Sequence, residues 1–392
     1  MFRLLENHLP KDFEFPADLQ ALGYVINEKD QIRMATDPEQ EFHFFISKNE
    51  RACEMSREAM DTCIRRIVMS RLQAQSLEVT RLPLGTSVAT NHVPVLTSKN
   101  LSTAKRIIIY IGETCQDLGI FAYRVVGRET INSGSAVDFV AAAQSAPDNP
   151  AIIIANTGQL LFHRKSKTAI SQRTWLALPR RSAVHPPFQL TEKNLIPGNE
   201  NPKEHAKSVF EEVVMKMADE EAKIFVVGHG DGATEMVDYL QDSWDLWQGR
   251  VEAICVGSSY IWSTPFVDLR FQEYWGRRAR AYLTSEQSID TPLWGRSDFG
   301  CNCFSSGEIS FQESLIPRCH RSILKYFEMV AENPDYEEIK QDLPVPGSGD
   351  GKDGEGADVT EEEHVQAVLA AMKLEGGVGE NISVEVKHNP EA

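Results

Sequence analysis

The sequence contains no long hydrophobic run. Apolar stretches such as Ile107–Ile111 and Ala151–Ala155 fall far short of the roughly 18–20 residues a membrane-spanning helix needs. No membrane association is expected. The opening residues mix charges with short apolar pairs, so neither a secretory leader nor a transit peptide is expected there. Positive charge is scarce. Forty Lys and Arg stand against 57 Asp and Glu, a formal charge of −17. Such a chain repels phosphate backbones, which argues against direct nucleic-acid binding. Cysteine is sparse and odd in number, seven in 392 residues. That points to reduced thiols in the nucleus and/or the cytoplasm rather than a disulfide scaffold. What is present is ordinary: 42% hydrophobic and 25% charged residues, which excludes collagenous, coiled-coil and wholly disordered chains.

The charge is uneven. About −11 of the −17 falls in the last 59 residues, leaving a body near −6. The body is expected to span 1–343. Residues 344–359 form a Gly-, Asp- and Pro-rich linker unable to bury enough apolar area to order itself. Residues 360–392 form an acidic tail. In it, Thr360 and Glu363 make a capping box, and Val365, Val368, Leu369 and Met372 share one face, which predicts a short amphipathic helix over 361–375. A tethered amphipathic helix is a candidate partner-binding peptide.

Within the body, strand and helix patterns alternate. The runs Arg106–Ile111, Ala151–Ala155, Lys223–Val227, Val251–Val256 and Ala281–Thr284 predict buried strands, and Phe42–Phe45 predicts another. Helical spacing predicts helices over Asn49–Gln75, Val137–Gln144, Lys203–Glu220, Ala233–Asp242 and His320–Glu332. This alternation predicts an α/β fold with a mostly parallel sheet covered on both faces.

The turn after the third of these strands carries the most information. It reads Gly228-His229-Gly230-Asp231-Gly232-Ala233. A hydrolase nucleophile elbow, G-x-S-x-G, needs small residues two before and two after its nucleophile, because the turn is strained and tightly packed. Gly228 and Gly232 fill those positions, but residue 230 between them is glycine. The steric pattern is present without the nucleophile. Making Asp231 the nucleophile would place the bulky His229 where a small residue is required. The same residues match G-x-G-x-x-G/A, a dinucleotide fingerprint, but the next strand ends Cys255-Val256-Gly257-Ser258 without the acid that binds a ribose hydroxyl. A plain tight crossover is the third reading.

The remaining triad positions are incomplete. Glu286 and Asp290 are the candidate acids after a late strand. The last loop before the closing helix, Phe299–Gly307, holds no histidine, so Ser-His-Asp hydrolysis lacks both nucleophile and base. Ser258, Ser305 and Cys303 are the weaker nucleophile candidates for an active ester or acyl hydrolase of atypical design. Cys301, Cys303, Cys319 and His320 have spacing too tight for a four-ligand zinc site. No metal or cofactor is expected. Arg173, Arg180 and Arg181 form a local basic run, read as a solvated loop or a small basic patch.

Beyond these patterns, the chain resembles the Argonaute-binding protein two domain family. That family occurs in fungal single-domain proteins and at the C-terminus of fungal class II histone deacetylases. The resemblance rests on Phe15-Pro-Ala-Asp-Leu with Leu22-Gly-Tyr, Ser98-Lys-Asn-Leu-Ser102, Asn132-Ser-Gly-Ser-Ala-Val-Asp138, Ala155-Asn-Thr-Gly-Gln-Leu160, Ile196-Pro-Gly-Asn-Glu200 and Phe299-Gly-Cys-Asn-Cys303. It implies an α/β-hydrolase-like fold and a non-catalytic scaffold role in heterochromatin or small-RNA silencing. It also implies protein partners, an Argonaute or a histone deacetylase complex, and possible self-association. Gly228, His229, Gly230, Asp231 and Gly232 are then a vestigial elbow, a small-ligand site at most.

Overall fold

The computed structural model describes residues 8–257, 266–296 and 299–339. The expected linker and tail helix, 344–392, and Ser258 lie outside them.

Eight strands make the central sheet: β1 (Leu77–Leu82), β2 (Val93–Ser98), β3 (Arg106–Gly112), β4 (Ala151–Asn156), β5 (Lys223–His229), β6 (Val251–Gly257), β7 (Ala279–Leu283) and β8 (Asn302–Ser305). Their spatial order is 1-2-4-3-5-6-7-8. β2 runs antiparallel to both β1 and β4, and every other pairing is parallel.

The inner strands read as continuous apolar runs because both faces are covered. In β3, Ile107, Ile109 and Ile111 pack into one core while Ile108 and Tyr110 pack into the other. Each such buried side chain contributes about 1.5–3 kcal/mol over exposure. The first face is covered by the helix that starts at Pro202, by α3 (Asp231–Asp242) and by α4 (Leu269–Arg278), through Phe210, Met236, Leu240, Phe271 and Trp275. The second is covered by α1 (Glu50–Ala74), α2 (Ala136–Gln144) and α5 (Leu315–Glu332). In α1 the buried residues Met60, Ile64, Val68 and Leu72 recur every fourth position, the stripe a helix lays on a sheet. Asn49 caps it, its side chain accepting from the Ala52 amide at 3.2 Å.

Several elements depart from expectation. Phe42–Phe45 forms no strand; Phe42 packs edge-on to Tyr24 and Phe45 is 83% exposed. The helix expected over Lys203–Glu220 runs as Pro202–Ser208, passes through a π-helical turn at Val209–Val214, and ends at Met217, where Ala218 turns extended. The stretch Phe299–Gly307, expected as loop, contains the edge strand β8, and β1 and β2 are additional strands at the other end of the sheet.

Candidate functional site

The site lies at the carboxyl ends of β3, β4 and β5, where the strand order reverses and where open α/β sheets bind ligands. β5 ends in His229, and α3 begins at Asp231. Between them Gly230 holds φ 57° and ψ −133°, a conformation that side-chain-bearing residues adopt only under strain. On either side the backbones nearly touch. A Cβ on Gly228 would lie 2.7 Å from the Ala233 Cα, and one on Gly232 would lie 2.3 Å from the Gly112 carbonyl oxygen. The elbow geometry read from the sequence is therefore built.

Its chemistry is closed by two carboxylates, Asp231 of the elbow itself and Glu113, which the sequence pattern did not single out. A Cβ on Gly230 would lie 2.5 Å from Glu113 Oε2 and 2.9 Å from Glu113 Cβ. The 9% exposed Glu113 side chain thus stands where a nucleophile would project. In hydrolases of this fold, one oxyanion-hole donor is an N–H of the loop after β3. Here the Thr114 N–H donates to Asp231 Oδ1 at 2.8 Å, and the Thr114 hydroxyl donates to Asp231 Oδ2. A donor already satisfied by a carboxylate is not free for an oxyanion. The readable signal was positional: Glu113 and Thr114 directly follow the most strongly patterned strand, β3.

His229 is fully buried and committed at both nitrogens. Its Nε2 lies 3.2 Å from the Gln312 carbonyl, which only accepts, so Nε2 carries a proton. In the neutral ring, Nδ1 then accepts from the Tyr110 hydroxyl at 3.1 Å. Burial first, then Glu113 and Cys115, holds the Tyr110 pKa well above its ordinary value, so it keeps its proton. The segment after β8, where a hydrolase base stands, is instead a pinned strap. Arg124 pairs with Glu313 at 2.5 Å and lies 3.9 Å over the Phe311 ring. Cys115 is exposed beside the elbow, yet partial desolvation and the nearby Glu113 push its thiol up to about 12, away from thiolate reactivity.

The other candidates do not converge on the elbow. Asp290 is exposed and accepts from the Tyr282 hydroxyl at 3.2 Å; Glu286 is also exposed. Ser305 is buried, and its hydroxyl donates to the Gln287 carbonyl at 2.8 Å. Cys303 packs in the core of one sheet face while Cys319 packs in that of the other. Of the basic run, Arg173 pairs with Asp61 at 3.2 Å and Arg180 donates to the His185 and Leu176 carbonyls. Only Arg181 is solvated as a free loop cation would be.

Beside the elbow opens a cleft of about 960 Å³, lined by Thr114, Cys115, Thr157 and Gly158 together with Arg57 and Arg173. Behind the two arginines sits Asp61, its side chain 5% exposed. Burial lifts its carboxyl to about 7; Arg173 and Arg65 oppose the rise, while Glu58 and Asp117 add to it. A folded pKa above the unfolded value means that the folded state binds the proton more tightly. Stability from this group is full below about pH 4 and falls as pH rises to about 7, by roughly 4 kcal/mol at most. Asp61→Asn is expected to remove that fall. Urea midpoints of both proteins between pH 4.5 and 8 check it, and parallel slopes would refute it.

The strand order with its reversed second strand defines an α/β-hydrolase fold, here with glycine at the elbow apex. The chain belongs to the Arb2 domain family, whose family model matches residues 15–289. Among solved structures it is similar to a histone deacetylase from Saccharomyces cerevisiae, at 15% identity, TM-score 0.41, covering 69% of this chain and 97% of that one. It is also similar to the peroxisomal alpha-beta-hydrolase Lpx1 from Saccharomyces cerevisiae, at 9% identity and TM-score 0.34, covering 77% and 98%. The esterase Est22 is similar at 10% identity and TM-score 0.33, covering 72% and 90%. No curated protein matches the chain.

Proposed function

We propose that the chain is a non-catalytic interaction module on a hydrolase scaffold, serving an Argonaute small-RNA complex or a histone-deacetylase-linked silencing complex in the nucleus and/or cytoplasm of a fungal cell. One observation carries the non-catalytic half: Glu113 fills the space beside Gly230 that a nucleophile would occupy. The occupied Thr114 donor and the doubly bonded His229 support it. Acyl transfer requires a nucleophile, a base within reach and free oxyanion donors, and all three are compromised at this elbow. The partner half rests on family membership.

The test has two arms. Purified protein incubated with p-nitrophenyl acetate and butyrate is expected to give no turnover above buffer. Labelling of a single Ser or Cys by a fluorophosphonate or haloacetamide probe, with matching turnover, would overturn the reading. Tagged protein recovered from its own cells is expected to carry an Argonaute or a histone deacetylase; neither appearing would remove the partner assignment.

A further inference from the structure

Arginines across the body are mostly spent on carboxylates, as Arg51 on Asp12, Arg65 on Asp117 and Arg106 on Asp148 show. One hairpin breaks that pattern. Strands Leu161–His163 and Thr168–Ile170 are joined by Arg164-Lys165-Ser166-Lys167. A fourth cation, Lys193, belongs to the 3₁₀ turn Glu192–Asn194, which is tied to the hairpin by the Asn194 amide donating to the Phe162 carbonyl at 3.0 Å. All four cations are exposed, and none makes an ion pair among the described residues. His163 beside them has a lowered pKa, from burial first and from Lys165 second. Lys167 closes the turn at φ 55°, a left-handed conformation that glycine or asparagine would adopt at less cost.

Two of these cations, Arg164 and Lys167, line a hollow of about 710 Å³ together with Pro83, Leu195 and Pro197, with Glu192 its single acid. The hollow therefore combines the apolar side chains of Pro83, Leu195 and Pro197 with the Thr86 and Thr90 hydroxyls and the two cations. The surface is also preformed. The Asn91 amide donates to the Lys193 and Leu195 carbonyls at 2.9 and 2.7 Å, so the 3₁₀ turn is held before anything binds. Preorganisation lowers the ordering cost of binding.

We infer that this hairpin and hollow form a docking site for an acidic peptide segment of a partner protein, one in which Asp and Glu flank an apolar side chain. The acids would meet Arg164, Lys165, Lys167 and Lys193, and the apolar side chain would seat against Pro83, Leu195 and Pro197. Charge complementarity selects the occupant. A nucleic-acid strand fits less well, because sequence-independent binding to single strands uses exposed aromatic rings as stacking platforms. The one ring lining the hollow, Phe162, is 2% exposed. The site uses no residue of the elbow, so it stands or falls separately from the non-catalytic reading.

The probe is a fluorescein-labelled six-residue peptide alternating two acids with one leucine, titrated by fluorescence anisotropy against the full chain. Controls are the same peptide with Asn and Gln in place of the acids, and a single-stranded oligonucleotide of equal charge. The acidic peptide is expected to bind at least tenfold more tightly than its amide version at 50 mM salt, and to weaken at least fivefold at 300 mM salt. The combined Arg164→Gln, Lys165→Gln, Lys167→Asn variant is expected to lose at least tenfold in affinity with an unchanged melting temperature, while Lys165→Arg retains binding. Equal affinity for both peptides, undiminished binding by the neutralised variant, no binding at low salt, or preference for the oligonucleotide would each overturn the inference.

Discussion

Gly230→Ser, the change that would restore a hydrolase nucleophile, is expected to lower stability by about 3 kcal/mol and to yield no esterase. Two costs combine. The backbone at φ 57° and ψ −133° accepts glycine freely and serine only under strain. The new Cβ also meets the Glu113 carboxylate and its Cβ at 2.5 and 2.9 Å. Glu113→Gly removes the second cost, so the double variant is expected to be about 1–2 kcal/mol more stable than the sum of the single changes allows. Urea denaturation of the four proteins measures that coupling. Strict additivity would mean that Glu113 does not occupy the nucleophile's place. Turnover stays absent in all four, because Asp231 still holds the Thr114 donor.

Gly232→Ala is expected to be worse, costing about 3 kcal/mol or more and reducing the yield of folded protein. Its Cβ would lie 2.3 Å from the Gly112 carbonyl oxygen, 2.8 Å from that carbonyl carbon and 3.1 Å from the Ile111 oxygen. Those are backbone atoms of β3, paired on both sides by β4 and β5, so they cannot retreat as a side chain would. Helix α3 would have to lift from the sheet, opening the core around Met236 and Leu240. Gly249→Ala is the control. A Cβ there meets nothing within 4 Å, and a change within about 0.5 kcal/mol is expected. Similar denaturation midpoints for the two alanine variants would refute the close approach of α3 to β3.

The inner strands and the helices over them were legible because each satisfies its burial locally. A run such as Ile107–Ile111 is apolar on both faces, and Met60, Ile64, Val68 and Leu72 mark one side of a helix whatever else the chain does. The edges were less legible. Asn302–Ser305 becomes a strand only by pairing with β7, Arg280 opposite Asn302 through Leu283 opposite Ser305, and nothing in those four residues announces that partner. Phe42–Phe45 shows the converse: an aromatic run with strand propensity that finds no strand beside it.

The elbow divides in the same way. Gly228, Gly230 and Gly232 are spaced along one turn; Gly228 is required against Ala233 and Gly230 by its positive φ within that turn, whereas Gly232 is required against the β3 backbone. The sequence by itself therefore determined the α/β alternation, the strained strand-to-helix turn and the loss of its nucleophile. Only the tertiary structure decided what fills the turn. Glu113 precedes Gly230 by 117 positions, as Thr114 precedes Asp231, and each pair meets because β3 and β5, far apart in the chain, lie side by side in the sheet. Contacts across adjacent parallel strands depend on strand order, which no local pattern of residues encodes.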